Sequence, residues 1–254
     1  MKGHVAIDPT GKRHSFQYEN DFDQDVDANQ IVVTATDSGT AAVGAGTFGI
    51  IPLVASDGTV ADNDETYIET PNEFVGFEAD KPWAAVCLLQ FNEANVDDAN
   101  IAFGLATGPA ANTIQDNGAG LDPALTSLAA IYKVDGSNVW KCTAGGSAAT
   151  QAANVKTSNC PASPGVSGVS GPWQWLEIHW TPISSTQGYV EFRVNDIPLC
   201  DANVEGNPKI RILVTLTGST TMAMFAGVKN GGANLETLNV DFWGLYGRRN
   251  RPIA

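Results

Sequence analysis

At 254 residues, 43 % of them hydrophobic and only 17 % charged, the chain has the composition of a globular protein and the length of one large β-sandwich or barrel. Acidic residues outnumber basic ones 28 to 14, and a formal charge of −14 repels phosphates and anionic lipid, so neither nucleic acid nor a membrane is an expected partner. No apolar run of signal-peptide length follows Met1 and none approaches the roughly 18 residues of a membrane-spanning helix, so a soluble product made in the cytoplasm is expected.

Residues 1–29 are polar and end in ENDFDQDVDANQ, which predicts an extended N-terminal arm. Asp21, Asp23, Asp25 and Asp27 recur at the odd positions of an EF-hand loop. Val26 stands where that loop needs Gly, however, and Val32 where it needs a bidentate Glu, so a solvated acidic stretch is the expectation.

From residue 30 to residue 247 short β-runs follow one another. They include QIVVTAT (30–36), TFGIIPLVA (47–55), ETYIET (65–70), EFVGFE (73–78), WAAVCLLQFN (83–92) and NIAFGLAT (100–107). LAAIYKV (128–134), NVWKC (138–142), WQWLEIHW (173–180), YVEFRV (189–194), KIRILVTLT (209–217), TMAMFAGVK (221–229) and TLNVDFWGLY (237–246) continue the series. VDGSN (134–138) and KNGGAN (229–234) supply hairpin turns, and no long stretch has helical periodicity. The predicted fold is all-β, an antiparallel β-sandwich, jelly roll or barrel. Residues 107–124 and 143–172 are predicted to be long irregular insertions, and 248–254 a basic tail.

The four cysteines lack paired C-x-x-C spacing. Cys87 and Cys200 lie in apolar runs and are expected in the core. Cys142 and Cys160 bracket a Gly/Ala/Ser-rich loop, bridged in an oxidising setting and free after cytosolic synthesis. His4, His14 and His179 are far apart, and no nucleophile elbow, P-loop or zincin motif is present. Neither a metal nor another cofactor is expected.

Period-two alternation in WLEIHW points Leu176, Ile178 and Trp180 inward, with Glu177 and His179 outward. In YVEFRV, Val190, Phe192 and Val194 point inward. The register that joins the two apolar faces sets Leu176 opposite Val194, Ile178 opposite Phe192 and Trp180 opposite Val190. It also sets Glu177 opposite Arg193 and His179 opposite Glu191, pairs worth about 0.2–1 kcal/mol each on an exposed face. That arrangement requires no chemistry, and catalysis is not expected; the competing idea makes Glu177 and Glu191 the acid and nucleophile of a glycosidase.

In LNVDFWGLY the same alternation puts Leu238, Val240 and Phe242 on one face and Asn239, Asp241 and Trp243 on the other. Trp243 on a polar face could stack on a sugar, anchor a protein contact or pack beneath a loop. Arg248, Arg249 and Arg251 suit bidentate contacts to an acidic partner patch, or form a solvated tail.

GFEADKPWAAVCLLQFNEANVDDANIAFGLATG (76–108), the hairpin WLEIHW...GYVEFRVNDIPL (175–199) and MFAGVKNGGANLETLNVDFWGLYGRR (224–249) resemble concanavalin A-like, laminin G-like jelly-roll domains of tailed-bacteriophage structural proteins. The resemblance implies a capsid decoration, or cement, protein on the exterior of a virion head. Such a protein binds and bridges major capsid subunits, is a homotrimer, and uses its arm, insertions and tail for contact. The alternative it implies is a lectin-like glycan-binding module of a head fibre or tail, with the sugar near Trp243 or Trp175. A glycan hydrolase or lyase is disfavoured, because Glu177, His179 and Trp180 do not reproduce the E-x-D-x-x-E strand motif of hydrolases built on such sandwiches.

Overall fold

The computed structural model describes residues 16–22, 31–36, 39–41, 49–56, 59–95, 97–115, 119–166, 169–216 and 220–247. Among them the chain begins with strands β1 (Phe16–Asn20), β2 (Val32–Ala35), β3 (Thr40–Ala41), β4 (Ile51–Val54) and β5 (Glu65–Glu69). Next come β6 (Trp83–Glu93), β7 (Ala99–Ala106), β8 (Leu128–Lys133), β9 (Val139–Gly145), helix α1 (Ala148–Ala153), β10 (Lys156–Pro161) and β11 (Gly165–Val166). The order closes with β12 (Gln174–Pro182), β13 (Gln187–Val194), β14 (Ile197–Pro198), β15 (Arg211–Thr215), β16 (Ala223–Asn230) and β17 (Thr237–Gly247). No helix among the described residues is long and apolar enough to cross a membrane.

Two sheets pack face to face. One runs β14-β13-β12-β6-β17-β4-β3, with β1 on β17, β15 on β13 and β11 on β6; the other runs β10-β9-β8-β7-β16-β5-β2. Every pairing is antiparallel except the short β11–β6 contact. The predicted all-β antiparallel sandwich is therefore the observed architecture. Cys87, Leu89 and Phe91 of β6, Ile178 and Trp180 of β12 and Phe192 of β13 face Ile101, Phe103, Ile131, Trp140 and Val228 of the second sheet, all at most 1 % exposed. Burying such side chains, at about 1.5–3 kcal/mol each, is the term that closes the two layers.

The β12–β13 hairpin has the predicted register residue for residue, from Leu176 opposite Val194 to Trp180 opposite Val190. At β17 the structure departs from strict alternation. Val240 pairs with Leu89 and Phe242 with the adjacent Leu88, so Asp241 is an extra residue in β17, a β-bulge. Side chains beyond it exchange faces: Trp243 points into the core with 0 % exposure, and Phe242 points out.

Further departures concern the segments read as irregular. Residues Phe16–Asn20 of the expected arm pair along β17, from Phe16 opposite Gly247 to Asn20 opposite Trp243. Phe22, 2 % exposed, packs on Trp243 with ring centroids 5.7 Å apart. The sandwich thus takes in 16–22; the rest of the arm and the tail 248–254 lie outside the described residues. Within 143–172 the chain forms α1, β10 and β11, a helix of only six residues being too short to show periodicity. The expected strand 73–78 reduces to one bridge, Val75 to Met222, with Phe77 edge-on to Trp180.

The described part of 107–124 is not a free insertion. It folds back through the Ile114–Leu121 bridge onto the outer face of the seven-stranded sheet, where Ile114 and Leu125 form a second core with Tyr67, Leu128, Tyr132 and Phe225. That face is low because Ala102, Gly104, Ala106, Ala130 and Gly227 occupy it, and the loop closes over them. All four cysteines are free, with Cys87 and Cys142 buried and Cys160 and Cys200 partly exposed.

Candidate functional site

The open face of the ten-stranded sheet carries most of the residues singled out in the sequence. Trp175 of β12 and Phe242 of β17 stack across β6, with ring centroids 5.7 Å apart and planes inclined by 12°. Both are opposite Leu88 in register. Next along β12, Glu177 binds the His179 imidazole at 2.7 Å rather than turning to Arg193. Glu191 accepts from Arg211 Nε of β15 at 2.7 Å rather than from His179.

Burial alone would raise the Glu177 carboxyl; the His179 hydrogen bond and charge, helped by Asp196 and Arg193, outweigh it and hold its pKa below the ordinary value. Each glutamate is therefore paired with a basic side chain, Glu177 with His179 and Glu191 with Arg211. Trp243 is in the core and out of reach of any ligand, while Arg248, Arg249 and Arg251 lie outside the described residues.

A second place was not legible in the sequence. Between the 107–125 loop and α1, on the outer face of β8 and β9, is a cleft of about 290 Å³ lined by Gln115, Leu121, Tyr132, Lys141, Thr143 and Gln151 among others. Tyr132 and Lys141 are direct cross-strand neighbours, and Thr143 follows Lys141 on the same face.

The loop that forms one wall is anchored by hydrogen bonds to side chains of β5 and β16. Tyr67 Oη donates to Glu65 Oε2 at 2.7 Å and accepts from Ile114 N–H at 3.0 Å. Asn112 N–H donates to Glu65 Oε1 at 2.6 Å, and Lys229 Nζ lies 3.4 Å from Glu65 and donates to Asn112 Oδ1 at 3.0 Å. Gly120, at φ +103°, takes the backbone past the Tyr132 ring in a conformation that favours glycine.

Helix α1 starts with a capping box formed by Ser147 and Thr150. Thr143 Oγ1 donates to the Gln151 carbonyl at 2.8 Å and Gln151 Nε2 to the Leu125 carbonyl at 2.6 Å, so the helix is tied to both strand and loop.

Gln151 is 3 % exposed, and its amide oxygen, Oε1, is buried with no hydrogen-bond partner among the described residues. Leaving such an acceptor unpaired costs about 1–3 kcal/mol. Burial raises the Tyr132 phenol, which keeps it neutral and able to donate at physiological pH. Burial lowers the Lys141 pKa, and no carboxylate among the described residues pairs with it.

At one end of the sandwich, Lys133 and Glu93 form a fully buried ion pair at 2.5 Å. Nearby Glu236, 0 % exposed, has a carboxyl raised to about 8, chiefly by burial and also by Glu93 and Asp98, against the opposing Ala94 N–H. No group of three or more His, Cys, Asp or Glu among the described residues is arranged to hold a metal ion.

A sandwich with these two sheets and this strand order is a concanavalin A-like, legume-lectin-like jelly roll. Solved structures of the same fold include an endo-1,3-β-glucanase from Streptomyces sioyaensis, 14 % identical, which covers 97 % of this chain and 100 % of its own at a TM-score of 0.58. Lectin II from Ulex europaeus is 10 % identical over 93 % of this chain and 100 % of its own, with a TM-score of 0.56. The Emp47p carbohydrate recognition domain is 11 % identical over 91 % and 96 %, with a TM-score of 0.53. No family model matches the chain, and no curated protein matches it in sequence. At these identities the likeness is one of fold.

Proposed function

We propose that this chain is a non-enzymatic, lectin-like glycan-binding module that holds a sugar in the cleft between the 107–125 loop and α1. The observation that carries this is the cleft itself, in which the Tyr132 ring, Lys141, Thr143 and Gln151 line one site and Gln151 Oε1 has no hydrogen-bond partner among the described residues. Sugar hydroxyls are donors and acceptors on an otherwise apolar ring, and a site with one aromatic wall and a few convergent polar groups matches that chemistry. The named neighbours are carbohydrate recognition proteins and a glucanase, which supports a saccharide over other small ligands. Matching of Glu177 by His179 and of Glu191 by Arg211 supports binding without hydrolysis, since neither carboxylate is poised as a free acid or nucleophile.

The named neighbours lend no support to the capsid decoration role, to a major capsid protein partner or to a homotrimer, and glycan binding therefore takes first place.

A glycan array followed by titration tests this. Gln151→Ala and Tyr132→Phe should each weaken saccharide binding about tenfold or more, with Trp175→Ala on the opposite sheet leaving it unchanged. Binding that is lost only with Trp175→Ala would move the sugar to the open face, and turnover of a polysaccharide abolished by Glu177→Gln would make the protein an enzyme.

A further inference from the structure

We propose that the cleft selects acidic sugars, with the carboxylate of a uronic acid residue held by Lys141; this rests on the glycan-binding reading and specifies its ligand class.

The first argument is the accounting of cations. In a chain with 14 basic against 28 acidic residues, cations find carboxylates easily. Lys81 pairs with Glu78, Lys133 with Glu93, Lys156 with Asp201, Lys229 with Glu65 and Arg211 with Glu191. Lys141, Arg193 and Lys209 enter none of these pairs, and of the three it is Lys141, partly buried, that lines the cleft. An ammonium partly withdrawn from water, with no carboxylate partner among the described residues, is held at a cost that an anionic ligand repays, and burial already pulls its pKa down.

The second argument is geometric. Lys141 and Thr143 are two residues apart on one face of β9, about 7 Å along the strand, close to the span of a pyranose ring with its C5 substituent. Tyr132, directly across from Lys141 on β8, supplies a phenol at the charged end. Gln151, whose Oε1 is buried without a partner among the described residues, borders the cleft on the α1 side. A ring bearing a carboxylate near Lys141 and hydroxyls toward Thr143 and Gln151 answers each of these groups, whereas a neutral hexose leaves the lysine uncompensated. A volume of about 290 Å³ is at the small end of ligand sites and suits one sugar residue at a chain end more than an internal stretch of polymer.

The test titrates the full chain with galacturonate and glucuronate trisaccharides and with the neutral galactose and glucose trisaccharides, read by calorimetry and by chemical-shift changes in the cleft. Uronates should bind at least about tenfold more tightly than their neutral counterparts. Lys141→Gln should erase that difference without lowering the melting temperature, and Lys141→Arg should keep most of it. Equal binding of neutral and acidic trisaccharides, unaffected by Lys141→Gln, would overturn the acidic selectivity and leave glycan binding standing. Failure of every saccharide to shift cleft resonances would end both.

Discussion

Trp175 and Phe242 lie nearly parallel, centroids 5.7 Å apart, although they belong to strands on opposite sides of β6. Leu88, opposite both in register, is the floor beneath them. The stack exists because the bulge at Asp241 turns Phe242 outward and sends Trp243 inward, so one extra residue both furnishes the outer sheet face and fills the core.

The two adjacent aromatics should therefore differ in cost. Trp243→Ala empties a site with 0 % exposure and should destabilise by about 3–5 kcal/mol. Phe242→Ala loses a partly buried ring and one stacking partner, about 1–2 kcal/mol. Urea unfolding of both variants checks this, and equal or reversed costs would contradict the bulge.

Gly227 and the cleft are linked through Tyr67. A methyl at position 227 would come within 2.0 Å of Tyr67 Cδ1, so the ring must move and with it the hydroxyl that binds Ile114 N–H and Glu65. Gly227→Ala should cost about 1–3 kcal/mol and weaken saccharide binding, because the loop that carries Gln115 and Leu121 loses its anchor. Tyr67→Phe, which keeps the ring and removes only the hydroxyl, should reproduce the binding loss. Unaltered affinity in both variants would show that this anchor does not hold the cleft wall.

Glu236 makes stability depend on pH with a definite sign. Its carboxyl titrates at about 8 in the folded chain, against about 4.3 when unfolded. Between those values the folded state holds a proton that the unfolded state has released, so this contribution is complete below about pH 4.3, declines as pH rises through 8 and is flat beyond. Glu236→Gln, which mimics the protonated acid and can still accept from Ala94 N–H, should raise the melting temperature at pH 8.5 by a few degrees, with the gain vanishing near pH 4.5. A pH-independent difference would show that Glu236 ionises normally. Glu177, whose pKa is lowered, acts in the opposite sense: its contribution is present above about pH 4.3 and fades as acid protonates it.

Amino-acid order alone determined the all-β class, most strand positions, and the β12–β13 register down to the facing pairs. Those features follow from period-two alternation and turn residues, which are local in the chain. Side-chain pairing on that hairpin was not determined in the same way: Glu191 turns to Arg211 because β15, distant in sequence, lies beside β13. The bulge at Asp241 is likewise decided by β17 having to match β6, a partner more than a hundred residues away. The cleft belongs wholly to tertiary structure. Tyr132, Lys141, Gln151 and Gln115 come from two strands, a one-and-a-half-turn helix and a loop, and no spacing connects them until the seven-stranded sheet and its second core bring them together.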